Sequence, residues 1–417
     1  MRSLTFSWPA IFMTKKPFRI AMIPSSTDGV NYYRLATWAF EMRKYKNTLV
    51  DLLWFKYEID PSRPHPWQED MQSDEAATQM LGLTIGQQIR GEIDHACERA
   101  DVVVWHPMYY DWSLEFFLEM QHKHQKPFVV EMDDNYVDVP QWNEAYHSFK
   151  NGQSYRRIAL DCMRNADAVI VTTSHLADTY AEVNDNIYIV PNSLDFKGDR
   201  KFIGWDRVST RKHKGVRIGW IGGRSHFNDL MMVAPALREI LVIHPETTLC
   251  LVNSAMKPSC ESLGIAYPFK GIETRVHYAD RSVAINRYAS FAASFGFDIG
   301  IAPLVDCNFN RSKSNLRWLE YSALSTPTVA SPVSHFVETI QSGVDGILVK
   351  DNSLDDWVTQ LGLLVRDKEK RTEIGRNAGR RVRRDFNVMR NAPRYLRMLK
   401  EIANTNVPEF EEEVALV

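Results

Sequence analysis

Short apolar runs rich in β-favouring residues alternate with amphipathic helical patterns, and this alternation occurs twice along the chain. In the first half the runs are FRIAMI (18–23), VDLLW (50–54), DVVVW (101–105), FVVEM (128–132), AVIVT (168–172) and IYIV (187–190), with helical patterns at 33–46, 85–99, 113–124, 153–166 and 174–183. Continuous apolar strands separated by helices specify a parallel sheet covered on both faces. The pattern restarts after residue 215, with strands at 216–221, 248–252, 298–303, 326–330 and 346–349 and helices at 228–243, 284–295, 315–324, 335–342, 354–366 and 369–385. The expected fold class is α/β, with two such sheets in one chain.

The 417 residues suit two domains of this kind. A polar, basic stretch over roughly 194–215 reads as the linker between them, which places the domains at 17–200 and 212–385. A last helical pattern, 388–403, follows a break at Phe386-Asn387, so 386–405 is assigned to a C-terminal helix. Residues 1–16 are expected to form an N-terminal extension outside the fold, and 406–417 an acidic tail. With 50 Lys+Arg against 52 Asp+Glu, the net charge of −2 gives no global attraction to nucleic acid or an anionic membrane. Five scattered cysteines without a CxxC pair argue against a disulfide framework and a zinc ribbon and fit a reducing compartment. No apolar run approaches the ~18 residues of a membrane span. A cytoplasmic protein is therefore expected.

Open parallel sheets bind ligands beyond the carboxyl ends of their strands, so functional residues are sought there. The strand 216–221 runs into Gly222-Gly223-Arg224-Ser225-His226 just before a helix, a turn that brings backbone N–H groups to a phosphate or serves only as a tight connection. Neither GxGxxG nor GxxxxGK[ST] is present, so a dinucleotide dehydrogenase and a P-loop ATPase lose support. After the strand 298–303 a polar loop carries Asp306, Asn308, Asn310, Arg311 and Lys313. A helix then opens near Ser314-Asn315, with Glu320 inside it. Cations beside a helix start suit a diphosphate, and a carboxylate suits ribose hydroxyls; the alternative for each is solvated surface charge. In the first half, His106 follows one strand and Asp133-Asp134 the next, positions from which a histidine and an acidic pair face one cleft.

The segment Leu319-Glu320-Tyr321-Ser322-Ala323-Leu324-Ser325-Thr326-Pro327-Thr328-Val329-Ala330 resembles the nucleotide-sugar segment of GT-B glycosyltransferases, particularly glycosyltransferase family 4. Glu338-Thr339-Ile340 with Gly343-Val344-Asp345-Gly346-Ile347-Leu348-Val349 is similar to the family's closing strand, and Ile218 to Gly223 to its opening glycine loop. The resemblance covers 215–385 well and 17–200 loosely. It implies a GT-B fold: two Rossmann-like domains with parallel sheets facing a central cleft, and a final helix returning to the N-terminal domain. It implies transfer of a sugar, with retention, from a nucleoside diphosphate sugar to an acceptor hydroxyl. The expected donor is a UDP-sugar, and no metal or other cofactor is required. The donor is expected at Gly222, Gly223, Arg224, Arg311, Lys313, Ser314, Asn315 and Glu320. Gly29 and Arg34, in the loop after the first strand, resemble the part of GT-B enzymes that approaches the donor phosphates. The acceptor cleft and the catalytic candidates are assigned to His106, Asp133 and Asp134. In one respect the chain departs from the family: Ser312 stands where the family has a glutamate that approaches the transferred sugar.

Two further functions are weighed. Basic stretches at 207–217 and 376–384, with aromatic loops at 105–112 and 136–146, suggest modified DNA as the acceptor, with hydroxymethylated pyrimidines as the target. Ser312 suggests a non-catalytic nucleotide-sugar-binding subunit. Asp133-Asp134-Asn135 also matches the metal-binding acidic motif of GT-A enzymes, but those use a single sheet.

Overall fold

A computed structural model describes residues 16–404 except 55–88 and the single positions 27, 111, 200, 255 and 282. The expected tail at 406–417 and, apart from Lys16, the expected extension at 1–16 lie outside the described residues. The described residues form two six-stranded parallel sheets. The first comprises β1 (Phe18–Ile23), β2 (Thr48–Leu52), β3 (Val102–Trp105), β4 (Phe128–Met132), β5 (Ala168–Val171) and β6 (Ile187–Ile189), in the order β2-β1-β3-β4-β5-β6. The second comprises β7 (Val216–Ile221), β8 (Thr247–Val252), β9 (Val276–Ala279), β10 (Ile299–Ala302), β11 (Thr328–Ala330) and β12 (Ile347–Leu348), in the order β12-β11-β10-β7-β8-β9.

Both faces of each sheet are covered, which is why these strands read as unbroken apolar runs. In β1, Ala21 and Ile23 join one core with Phe117 and Val130, while Ile20 and Met22 join a second core with Trp38 and Val104. That second core is completed by the helix Val388–Ile402, whose Val388, Ala392, Tyr395, Leu396 and Leu399 are buried against the first sheet. A third core joins the halves. It gathers Tyr32, Tyr33, Leu194, Phe196, Phe202 and Trp205 with Trp318, Leu319, Phe336 and Val382. The polar linker of the sequence is thus pinned by its few large apolar residues.

Strand β9 and the helix Met256–Ser262 carry no clear signal in the sequence. Strand β9 is four residues long, lies at the sheet edge and fully buries only Val276, so it lacks the continuous apolar run of its neighbours. The helical pattern at 33–46 is interrupted: Gly29–Asn31 is followed by a π-helical turn, Tyr32–Ala36, and only then by the α-helix Thr37–Met42. Such widened turns are rare and cluster at functional sites. Among the described residues no helix is long and apolar enough to cross a membrane.

Candidate active site

Among the described strands, successive connections leave in opposite directions between β1 and β3 in the first sheet and between β7 and β10 in the second. Loops at such switch points form a ready crevice. Those after β1 and β3 carry Ser25 to Asn31 and His106, with Asp133 and Asp134 one strand further on. Those after β7 and β10 carry Gly222 to His226 and Leu304 to Asn315.

On the first wall, Asn31 stitches the β1 loop. Its Nδ2 donates to Ser26 Oγ at 2.8 Å and to Ser25 Oγ at 3.2 Å. Ser25 Oγ in turn meets His106 Nδ1 at 2.8 Å. The other ring nitrogen, Nε2, is buried without a hydrogen-bond partner and lies 3.8 Å from Asp133 Oδ1, which also has none. Burial opposes a charged imidazole here, but the adjacent Asp133, with Glu131 and Asp28 behind it, outweighs burial and raises the His106 pKa above its ordinary value. Asp133 responds in the opposite sense. Burial pushes its pKa up, yet His106, Arg34 and Lys313 together hold it below the usual carboxylate value. Beneath them Arg34 Nε donates to Glu131 Oε1 at 2.6 Å, and Arg34 Nη1 donates to the Val190 carbonyl and to Asn192 Oδ1, each at 2.9 Å. Both members of this ion pair are fully enclosed, with side chains 2% and 0% exposed.

On the second wall, Gly223 lies open in extended conformation at the mouth of the β7 loop, with Arg224 exposed beside it. A Cβ at Gly222 would fall 2.1 Å from the Trp220 ring, so a larger residue there would have to displace that ring. The helix Leu316–Ala323 begins after Asn315 and carries Glu320, which is 4% exposed. Its Oε1 accepts from Tyr33 Oη at 2.9 Å, and its Oε2 accepts from Tyr288 Oη at 3.1 Å and from Arg317 Nη1 at 3.2 Å. Burial raises the pKa of this carboxyl, with Arg317 and the two phenols pulling against the rise. Lys313 Nζ lies 4.3 Å from the centre of the Phe309 ring. Arg311 pairs at 2.7 Å with Asp306, both about half exposed.

The two walls touch. Lys313 Nζ donates to both oxygens of Asp134, at 2.7 and 3.0 Å. Asn135 Nδ2 donates to Ser312 Oγ at 3.1 Å, Thr173 Oγ1 to the Ser312 carbonyl at 3.2 Å, and Asn192 Nδ2 to Ser314 Oγ at 2.8 Å. Tyr33 reaches Glu320 across the same boundary. The structure therefore brings His106, Asp133, Asp134, Lys313, Ser314 and Glu320 into one interdomain region. Asn315 is fully buried at the start of the helix, bonded through Nδ2 to Thr339 Oγ1. Gly29 opens the short helix after β1, where an added Cβ would lie 3.9 Å from Ile285. Arg34 is committed to Glu131, and Arg311 stays with Asp306 on the surface. Several residues the sequence did not single out also take part in these contacts: Tyr33, Tyr288, Arg317, Asn192 and Glu131. Only the partners brought by folding distinguish them from ordinary residues. In the basic stretch 376–384, Arg381 bonds Asp345, Arg383 bonds Asp206 and Arg384 bonds Asp385, so these charges are already paired.

Residues 316–381 match the model of the family described as glycosyl transferases group 1. The chain is 26% identical over 230 residues to a D-inositol 3-phosphate glycosyltransferase of Corynebacterium jeikeium, a stretch covering 51% of this chain and 52% of that protein. It is 25% identical over 226 residues to the protein of the same name from Corynebacterium aurimucosum, again 51% and 52%. The chain thus matches about half the length of these curated relatives. Among solved structures, Anabaena Alr3699/HepE in complex with UDP and glucose superposes with a TM-score of 0.60 at 14% identity, covering 92% of this chain and 100% of that one. Sucrose-phosphate synthase from Thermosynechococcus elongatus superposes with a TM-score of 0.59 at 14% identity, covering 92% and 99%. The resemblance to GT-B glycosyltransferases read from the sequence is borne out, in the fold and in the matched segment around Glu320.

Proposed function

We propose that this chain transfers a sugar from a nucleoside diphosphate sugar, with UDP as the nucleotide, to an acceptor hydroxyl presented by the N-terminal domain, with retention at the anomeric carbon. One observation carries the reading. A buried carboxylate, Glu320, accepts three hydrogen bonds seven residues beyond a cation, Lys313, and both lie at the switch point of the second sheet. Glu320 would accept from ribose hydroxyls. Lys313, Arg224 and the backbone at Gly222-Gly223, Ser314 and Asn315 would hold the diphosphate, and Gly29 would lie near it. As the bond from the anomeric carbon to the diphosphate oxygen breaks, charge grows on the phosphate, and these fixed groups stabilise it. The acceptor oxygen bonds to the same carbon, and its proton passes to the departing diphosphate. His106, Asp133 and, once released from Lys313, Asp134 would line the acceptor side, none acting as an obligatory base.

Calorimetric titration with UDP, uridine and inorganic diphosphate tests this. Lys313→Ala should weaken UDP and diphosphate about tenfold to a hundredfold, the range of a charge-assisted contact. Glu320→Gln should weaken UDP and uridine while sparing diphosphate. Arg311→Ala should cost less than Lys313→Ala, because an exposed ion pair holds it outside the interdomain region. If Lys313→Ala and Glu320→Gln bind all three probes like the wild type, the site is wrongly assigned.

A further inference from the structure

His226 closes the glycine turn after β7 and stands at the entrance of the helix Phe227–Ile243. Its Nδ1 lies 2.8 Å from Asp229 Oδ2. A carboxylate only accepts, so Nδ1 carries the hydrogen and Nε2 is the atom left for a ligand. Among the described residues Nε2 has no hydrogen-bond partner, and the side chain is 23% exposed. Asp229 is itself immobilised: it is 3% exposed, and its Oδ1 accepts from the Val305 amide at 2.7 Å and from Asn310 Nδ2 at 2.9 Å. Both donors belong to the loop after β10 that carries Lys313. The carboxylate thus ties the histidine of one loop to the lysine-bearing loop of the other, across the switch point of the second sheet. A surface histidine capping a helix would need no such bracing.

The surroundings favour an anion. Arg224 precedes the imidazole on its own turn. The Trp220 ring packs edge-on at 6.1 Å, with Arg317 over that ring at 5.9 Å. Asp134 lies near it on the other wall: burial raises the pKa of that carboxyl, and Lys313 and His226 pull against the rise.

We propose that His226, held by Asp229, binds the donor diphosphate through Nε2. This rests on the donor reading given above.

The test is calorimetric titration with UDP-glucose, uridine and inorganic diphosphate. His226→Ala should weaken UDP-glucose and diphosphate about tenfold, the effect of one charge-assisted contact, and leave uridine unchanged. Asp229→Asn, which keeps an acceptor for Val305, should lose part of the same affinity because the ring is no longer held in place, with uridine again unchanged. His226→Ala with wild-type affinity for all three probes, while Lys313→Ala still loses binding, would overturn the role of His226 alone. Failure of the wild type to bind either UDP or UDP-glucose would overturn the donor reading and this inference together.

Discussion

His106 combines full burial, a fixed Nδ1 and an unpartnered Nε2, and such a group titrates with consequences for the fold. Its folded pKa is raised above the unfolded value. Its contribution to stability is therefore complete below about pH 6.5, the ordinary histidine value, and is lost as pH rises through the raised one. The stability difference between wild type and His106→Gln, from urea midpoints, should be largest near the acid end of the native range and shrink on the alkaline side. A pH-independent difference would show that the imidazole is neutral throughout. The positions of His106, Asp133, Lys313 and Glu320 were legible in the sequence because each follows a recognisable strand or opens a recognisable helix. Their partners were not. Tyr33 and Glu320 are 287 residues apart, Lys313 and Asp134 are 179 apart, and no local pattern records such pairings. Arg34 looked like a phosphate ligand in a loop, whereas the widened turn Tyr32–Ala36 turns it inward onto Glu131.

At the scale of elements, the helix Val388–Ile402 joins the last part of the chain to the first sheet. Its N-cap Asn387 accepts from the Met389 amide, and Leu194 and Val388 exchange backbone bonds with the residues around the break at 386–387. Leu396 is 1% exposed among Trp38, Val104 and the other residues of that core. Leu396→Ala should cost about 2–5 kcal/mol, the range for emptying a buried leucine site. Thermal or urea unfolding would measure it, and a loss under about 1 kcal/mol would mean that the helix is not part of the cooperative unit. Most strands and helices were readable because their apolar periodicity is strong. The stretch 194–215 reads as polar in the sequence and gives no sign of being a packed element. Phe196, Phe202 and Trp205 are isolated in a polar stretch, and only their burial against Tyr32, Tyr33 and the second domain reveals what they do.

At the scale of the whole molecule, the alternation of strands and helices was enough to give two parallel sheets, while the closeness of the two walls could not be read from either half alone. The groups proposed to hold a nucleotide are occupied by the protein: Asp134 on Lys313, Tyr33 on Glu320, Asn192 on Ser314. Tyr33→Phe removes the phenol hydrogen bond and keeps the ring, so it should tighten UDP binding by severalfold. The apparent affinity is the intrinsic one scaled by the open fraction, and one lost hydrogen bond of about 1 kcal/mol shifts that fraction by about fivefold. Weaker binding by Tyr33→Phe in a calorimetric titration would assign Tyr33 to holding the nucleotide instead. On the proposed function, these contacts act as a resident antagonist of the nucleotide. An arriving diphosphate would make Lys313 give up one anion for another, so the Coulomb attraction would be exchanged, not created. Added salt screens both states, and nucleotide affinity should therefore depend on ionic strength far less steeply than a pocket lined with cations would suggest.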